Sequence, residues 1–202
     1  MLTHISIAPH SSAQHSSAKQ SSAKHSPAPS GPLEMLQGCH DRIRHFIQLS
    51  RTLAEAQETS QDQIAEAAGA IFRYFSHALP LHEADENETL FPRLRDAAPL
   101  GSPLREAAWT MIEQHRTIDE LVAELLSLCG SIRRHPEHLP GLARQLQHVA
   151  IALDEIFASH LQMEERVIFP AVAQLPAQEL EAMSREMQER RRPPAESKYM
   201  AR

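Results

Sequence analysis

Cysteine is nearly absent from this chain. The 202 residues hold two, Cys39 and Cys129. That count excludes a disulfide scaffold and suits a reducing, cytoplasmic compartment. Aromatic residues make up 4% and glycines number 6. Their scarcity points away from a sheet-rich fold and leaves the chain to the helix formers Ala, Leu, Glu, Gln and Arg. No apolar run approaches about 18 residues, so nothing in the sequence is expected to span a membrane. The N-terminus lacks a basic stretch followed by an apolar one, so no secretory signal is expected. A basic excess is missing too. The formal net charge is −6 with histidine neutral, which excludes nucleic acid as a partner for the whole chain.

Histidine is the residue in excess, with thirteen in all. Two of them open copies of one frame. His82-Glu83-Ala84-Asp85-Glu86 is followed by Phe91-Pro92, and His160-Leu161-Gln162-Met163-Glu164 is followed by Phe169-Pro170. Both read H-x3-E-x4-F-P, and they lie 78 residues apart. A histidine and a glutamate four residues apart on a helix share one face, one turn apart. Their imidazole and carboxylate can reach one metal ion or two adjacent ones. A single H-x3-E arises often by chance. Two copies in an identical frame predict an internal duplication built around a pair of metals.

Residues 1–31 read as a disordered tail. A degenerate five-residue Ser/Ala repeat runs from Ser11 to His25, and such sequence buries too little apolar surface to offset ordering entropy. A first helix is expected from about Leu33 to about Glu58. Its apolar stripe, Leu36, Ile43, Ile47, carries His40. Ser60 is placed to cap a second helix with the stripe Ile64, Ala68, Ile71, Phe75, Leu79, His82, Glu86 and Leu90. Pro80 falls inside that stripe and predicts a kink. Ser102-Pro103 opens a third helix that runs to Arg134 through Met111, His115, Ile118 and Leu125. A fourth begins near Pro140 and carries Leu146, Leu153, His160 and Glu164, with Phe169-Pro170 distorting or ending it. A last short amphipathic segment, Pro176 to about Arg191, ends in Arg190-Arg191-Arg192, read as a solvated end. Long helices with short connections predict an all-α fold. The expected architecture is an up-down antiparallel four-helix bundle over 32–174, followed by a short C-terminal helix and tail over 175–202.

In such a bundle, height is counted in residues from the connecting turn, at about 1.5 Å per residue. The midpoint of His40 and His82 is residue 61, in the first turn, and that of His115 and His160 falls between 137 and 138, in the third connection. All four histidines therefore sit at one level on four helices, with Glu86 and Glu164 one turn beyond. The same count separates Cys39 from Cys129 by roughly 20 Å, beyond disulfide reach. Cys129 reads as a small core residue. Four imidazoles and two carboxylates in an apolar layer carry a large desolvation cost unless a cation satisfies them. Carboxylates and imidazoles without thiolate suit iron or manganese, whereas zinc usually closes a four-ligand site. Tyr74 is a further candidate ligand. Asp85 and Glu165 are candidates to orient imidazoles from behind.

The order His40, His82-x3-Glu86, His115, His160-x3-Glu164, with its two Phe-Pro tails, resembles the hemerythrin-like HHE cation-binding family over about residues 33–173. The resemblance implies two iron ions, oxo- or hydroxo-bridged, in preference to manganese or zinc. His40, His82, His115 and His160 would be terminal ligands, with Glu86 and Glu164 bridging. Oxygen-carrying hemerythrins place a second histidine on the third helix where this chain has Met111. The duplicated arrangement is similar instead to bacterial hemerythrin-like proteins associated with peroxide, NO or iron handling. Relatives that repair iron–sulfur clusters carry a cysteine-bearing N-terminal module, and the tail here has no cysteine. The expectation is a di-iron protein that binds or reduces O2, peroxide or NO, catalase-like or stress-protective. The alternative is a non-catalytic iron or oxygen sensor with a protein partner reached through the tail or the basic C-terminal helix.

Overall fold

The computed structural model describes residues 31–192. The expectation for the N-terminal tail lies outside the described residues, apart from Gly31. Helices account for the ordered elements, and there is no strand among the described residues. Helix α1 spans Pro32–Ala54. Helix α2 is the continuous run 61–97, α3 is Pro103–Ile132, α4 is the run 139–172, and α5 is Ala177–Arg190. A 3-10 turn, Pro136–His138, joins α3 to α4. No described helix is long and apolar enough to cross a membrane.

The helix ends follow from local chemistry. Ser60 caps α2 in a reciprocal box: its Oγ accepts from the Gln63 N–H, and Gln63 Oε1 accepts from the Ser60 N–H, each at 3.3 Å. This box satisfies two otherwise orphaned donors. Helix α1 stops at Ala54 rather than near Glu58, and the chain reverses over the residues between it and α2. Ser102 Oγ caps α3 by accepting from the Arg105 N–H, with Pro103 at the first position as expected.

The expected kink at Pro80 takes another form. The turn before it, Tyr74–Ala78, is a π turn, closed by Leu79 N–H donating to Tyr74 C=O. The helix widens by one residue, and Pro80 then enters a new α segment, Leu79–Ala84, near its start. A missing N–H costs little in that position. The same device recurs at Asp85–Leu90 before Pro92 and at Glu164–Ile168 before Pro170. There Phe91 N–H donates to Glu86 C=O, and Phe169 N–H to Glu164 C=O. Helix α4 therefore continues past Phe169-Pro170 to Val172 instead of ending. The four-residue gap in both copies of the motif is the length of a π-turn hydrogen bond.

Helices α1 and α3 each pack against both α2 and α4. Their buried faces form two apolar clusters. One gathers Ile43, Ile47, Ile71, Phe75, Ile118, Leu125, Leu146 and Leu153. The other gathers Leu36, Leu90, Leu94, Met111, Ile168, Phe169 and Val172. Each fully buried Leu, Ile or Phe side chain stabilises the fold by about 1.5–3 kcal/mol. Helix α5 lies against α1 and the second π turn of α2. It adds the fully buried Met183 and Met187 to the second cluster.

Candidate metal centre

A layer of buried polar side chains lies along the same helix faces as the two apolar clusters. His40, His82, Glu86, His115, His160 and Glu164 are all buried, His115 the least so at 5% exposed. The six come from α1, α2, α3 and α4, as the level count predicts. Their ligand atoms fall into two groups, His40, His82, Glu86 and Glu164 in one and Glu86, His115, His160 and Glu164 in the other. Both groups contain both glutamates.

Each carboxylate divides its oxygens between the groups. Glu86 Oε1 lies 3.0 Å from His82 Nε2, and Glu86 Oε2 lies 3.0 Å from His115 Nε2. Glu164 Oε2 lies 3.0 Å from His40 Nε2, and Glu164 Oε1 lies 3.3 Å from His160 Nε2. Two ligand atoms each about 2.1 Å from one cation, at about a right angle, are about 3.0 Å apart. The spacings thus match the edges of a coordination shell. Among the described residues, His40 Nε2, His82 Nε2, His115 Nε2 and all four glutamate oxygens are buried without a hydrogen-bond partner. Native interiors rarely leave one such atom unsatisfied, and a cation pair would satisfy them all. The donor set therefore fits the metal that the sequence implies.

The electrostatics suit the same purpose. Burial pushes the Glu164 carboxyl up, and the neighbouring Glu86 carboxylate adds to this, to about 7. Glu86 is driven the other way: burial raises it, but His82 and His115 outweigh burial and hold it well below the usual range. His160 is pushed down to about 3, mainly by burial, so its imidazole is neutral and free to ligate. His82 is raised, because the Glu86 carboxylate outweighs the cost of burying its charge.

Behind the imidazoles stand partners for their second nitrogens. His40 Nδ1 lies 2.9 Å from Glu165 Oε1, so the expected orienting role for Glu165 holds. His115 Nδ1 meets Asn87 Oδ1 at 3.0 Å, and His160 Nδ1 meets Gln114 Oε1 at 3.0 Å. Sequence reasoning missed Asn87 and Gln114. The available signal was position: Asn87 follows Glu86 and Gln114 precedes His115. Phe169 stacks on His40, with ring centroids 5.0 Å apart.

Other candidates resolve differently. Asp85 is fully buried and orients no imidazole; it pairs with Arg190 and Arg191 of α5. These arginines are thus anchors, not a solvated end. Arg93 extends the clasp to Glu186 (2.7 Å) and Glu179 (3.0 Å). Tyr74 does not join the six. Its ring stacks on Phe46 at 4.2 Å, and its hydroxyl donates to the Cys39 carbonyl. Both cysteines are free. Burial pushes the Cys129 thiol up to about 12, as befits a core residue. His135, Glu137 and His138 form a separate, exposed cluster at the α3–α4 connection.

Comparison with known proteins adds family membership. The sequence model described as hemerythrin HHE cation binding domain matches residues 31–110 and again 106–192. The two matches each contain one copy of the duplicated frame. An uncharacterized protein of Haemophilus influenzae is 33% identical over 70 residues, which covers 34% of this chain and 41% of the relative. The chain thus spans less than half the length of that curated relative. No solved structure gives a significant match.

Proposed function

The chain belongs to the hemerythrin HHE cation-binding family, and from that premise we propose that it is a non-haem di-iron protein that binds or reduces a small oxidant, O2, peroxide or NO. The observation that carries this reading is the division of both buried carboxylates between two imidazole pairs. Oxygens split in this way are placed to bridge two cations rather than to enclose one. His40, His82, His115 and His160 would hold the cations as terminal ligands, and Glu86 and Glu164 would be shared between them. The closed ring of helix neighbours supports an up-down four-helix bundle around them. When bound, an iron pair would supply one- and two-electron redox chemistry towards a small oxidant.

The protein's own residues hold and shelter that chemistry. Phe169 covers His40, and Phe157 packs edge-on to His160. Met111, Leu36 and Ile43 are fully buried neighbours along the same helix faces. They keep bulk water from the centre and lower the local dielectric. Glu165, Asn87 and Gln114 fix the orientation of three imidazoles, so that Nε2 points inward.

The test is metal content and the visible spectrum of protein purified without chelator, before and after peroxide. The expected result is two irons per chain and oxo-to-iron charge-transfer bands that respond to peroxide, with measurable turnover. One zinc per chain would overturn the reading. A second reading, a non-catalytic iron or oxygen sensor, is favoured by the α5 clasp, which joins a terminal helix to the residue beside Glu86. It predicts the same two irons, no turnover, and release of α5 on a change of metal state.

A further inference from the structure

The α3–α4 connection carries metal-ligating side chains that the buried layer does not use. It reads His135-Pro136-Glu137-His138, and Pro136–His138 form one 3-10 turn. Pro136 opens the turn with a fixed φ, and His138 N–H closes it by donating to His135 C=O at 2.9 Å. In a 3-10 helix the side chains at i and i+3 eclipse. His135 and His138 therefore stand one above the other, with ring centroids 5.0 Å apart and planes 26° from parallel. The buried Ile132 and Leu139 hold the turn from both sides, and it packs against α2, α3 and α4.

Three polar side chains converge on this fixed backbone. His135 Nδ1 lies 3.4 Å from Glu137 Oε1. One donor atom from each of His135, Glu137 and His138 falls within 4.8 Å of the others. Ser131 Oγ sits 3.4 Å from His138 Nδ1 and tethers that ring. An imidazole held through one nitrogen keeps the other as a donor. Two ligand atoms each about 2.1 Å from one cation are about 3.4 Å apart at the tetrahedral angle and about 3.0 Å apart at a right angle. The His135–Glu137 edge is thus tetrahedral, unlike the 3.0 Å edges that Glu86 makes in the buried layer. Two imidazoles and one carboxylate with a position left open are a donor set that zinc accepts, whereas copper prefers right angles. The turn also follows the C-terminus of α3, whose last carbonyls favour a cation. Of the two arginines there, Arg133 sits over the Phe72 ring at 4.0 Å, and Arg134 is exposed to water, where salt screens its charge.

We infer that His135, Glu137 and His138 form a separate surface metal site that takes Zn2+. Along α4, His138 precedes His160 by 22 residues, about 33 Å, so the site shares neither a residue nor a cation with the buried layer. A Zn2+ ion held there ties the end of α3 to the start of α4.

The experiment titrates Zn2+ into the full chain as purified, by calorimetry. Elemental analysis after dialysis follows both the Zn2+ and any metal already bound. The comparison is the His135→Asn/His138→Asn double variant, with its fold checked by circular dichroism. The parent is expected to take one Zn2+ per chain more than the double variant, with no loss of metal already bound. Glu137→Gln is expected to weaken that step about ten-fold or more, since loss of even an outer partner of a ligand costs about 10–100-fold. In 1H–15N spectra, the Zn2+-dependent shifts that the double variant lacks are expected to centre on residues 131–139. Equal Zn2+ uptake by the parent and the double variant would overturn the site and assign the uptake to other histidines of the chain. A parent step that appears only as metal already bound is displaced would overturn it as well.

Discussion

Replacing both Arg190 and Arg191 with alanine should destabilise the protein more than replacing the aspartate they hold. Asp85 is fully buried, whereas the side chains of Arg190 and Arg191 are 18% and 27% exposed. With both arginines gone, the Asp85 carboxylate stays buried and uncompensated, a situation that costs about 3–5 kcal/mol. With Asp85→Asn, the charge disappears and the arginines turn to water, so the expected cost is nearer the 1.5–3 kcal/mol of a charge-assisted hydrogen bond. For a chain of this size each kcal/mol moves Tm by about 2–4 °C. The double variant should therefore melt about 6–20 °C below the parent, and Asp85→Asn about 3–12 °C below. Adding Asp85→Asn to the double variant should recover stability, because it removes the stranded charge. The assay is thermal and urea unfolding by circular dichroism, with tryptic cleavage within α5 as a local readout. A double variant as stable as the parent, or a triple variant less stable than the double, would refute the claim that charge holds α5 in place.

Three more outcomes bear on the centre. Glu164→Ala should lose at least half of the bound metal by elemental analysis, and full retention of two ions per chain would refute the bridging role. The Glu164 carboxyl, raised to about 7 by burial and by Glu86, must give up its proton before it can ligate. Metal affinity should therefore fall as pH drops through about 7, and a flat affinity between pH 8 and pH 5.5 would refute this. For metal-free protein the sign is opposite. A raised carboxyl adds stability that is fully present below its ordinary value near 4.5 and is lost as pH rises through about 7, while the depressed His160 contributes the reverse trend below 6.5, so the check is the metal-free melting temperature of the parent against Glu164→Gln, and the parent should lose stability relative to that variant as pH rises over the window.

The ligand layer was legible because two periodicities agree. The helical stripe chose His40, His82, His115 and His160, and the equal distances to the turns set them level. The capping box at Ser60 was legible from local chemistry. The π turns were not, since a stripe read at 3.6 residues per turn registers Pro80 only as a break. The pairing of Arg190 and Arg191 with Asp85 was missed for a different reason. Charges at a chain end face water by default, and only the packing of Met183 and Met187 carries them back to α2. Asn87 and Gln114 act across helices, where no sequence period reports them.

The π turn after each glutamate makes the motif a ruler. Phe91 bonds to Glu86, and Phe169 to Glu164, across four intervening residues. The side chains in that interval differ between the copies, Asn87, Glu88, Thr89 and Leu90 in one and Glu165, Arg166, Val167 and Ile168 in the other, although the first of each meets an imidazole and the last of each is buried core. Their number does not differ. Deleting one residue would convert the turn to an ordinary α turn and rotate everything beyond it by about 100°. Phe169 would leave the His40 ring, and Leu94 would leave the core. The interval is thus closed to insertion or deletion and open to substitution only at its exposed second position, Glu88 in one copy and Arg166 in the other, a pattern of tolerance that sequence libraries of this protein can read directly.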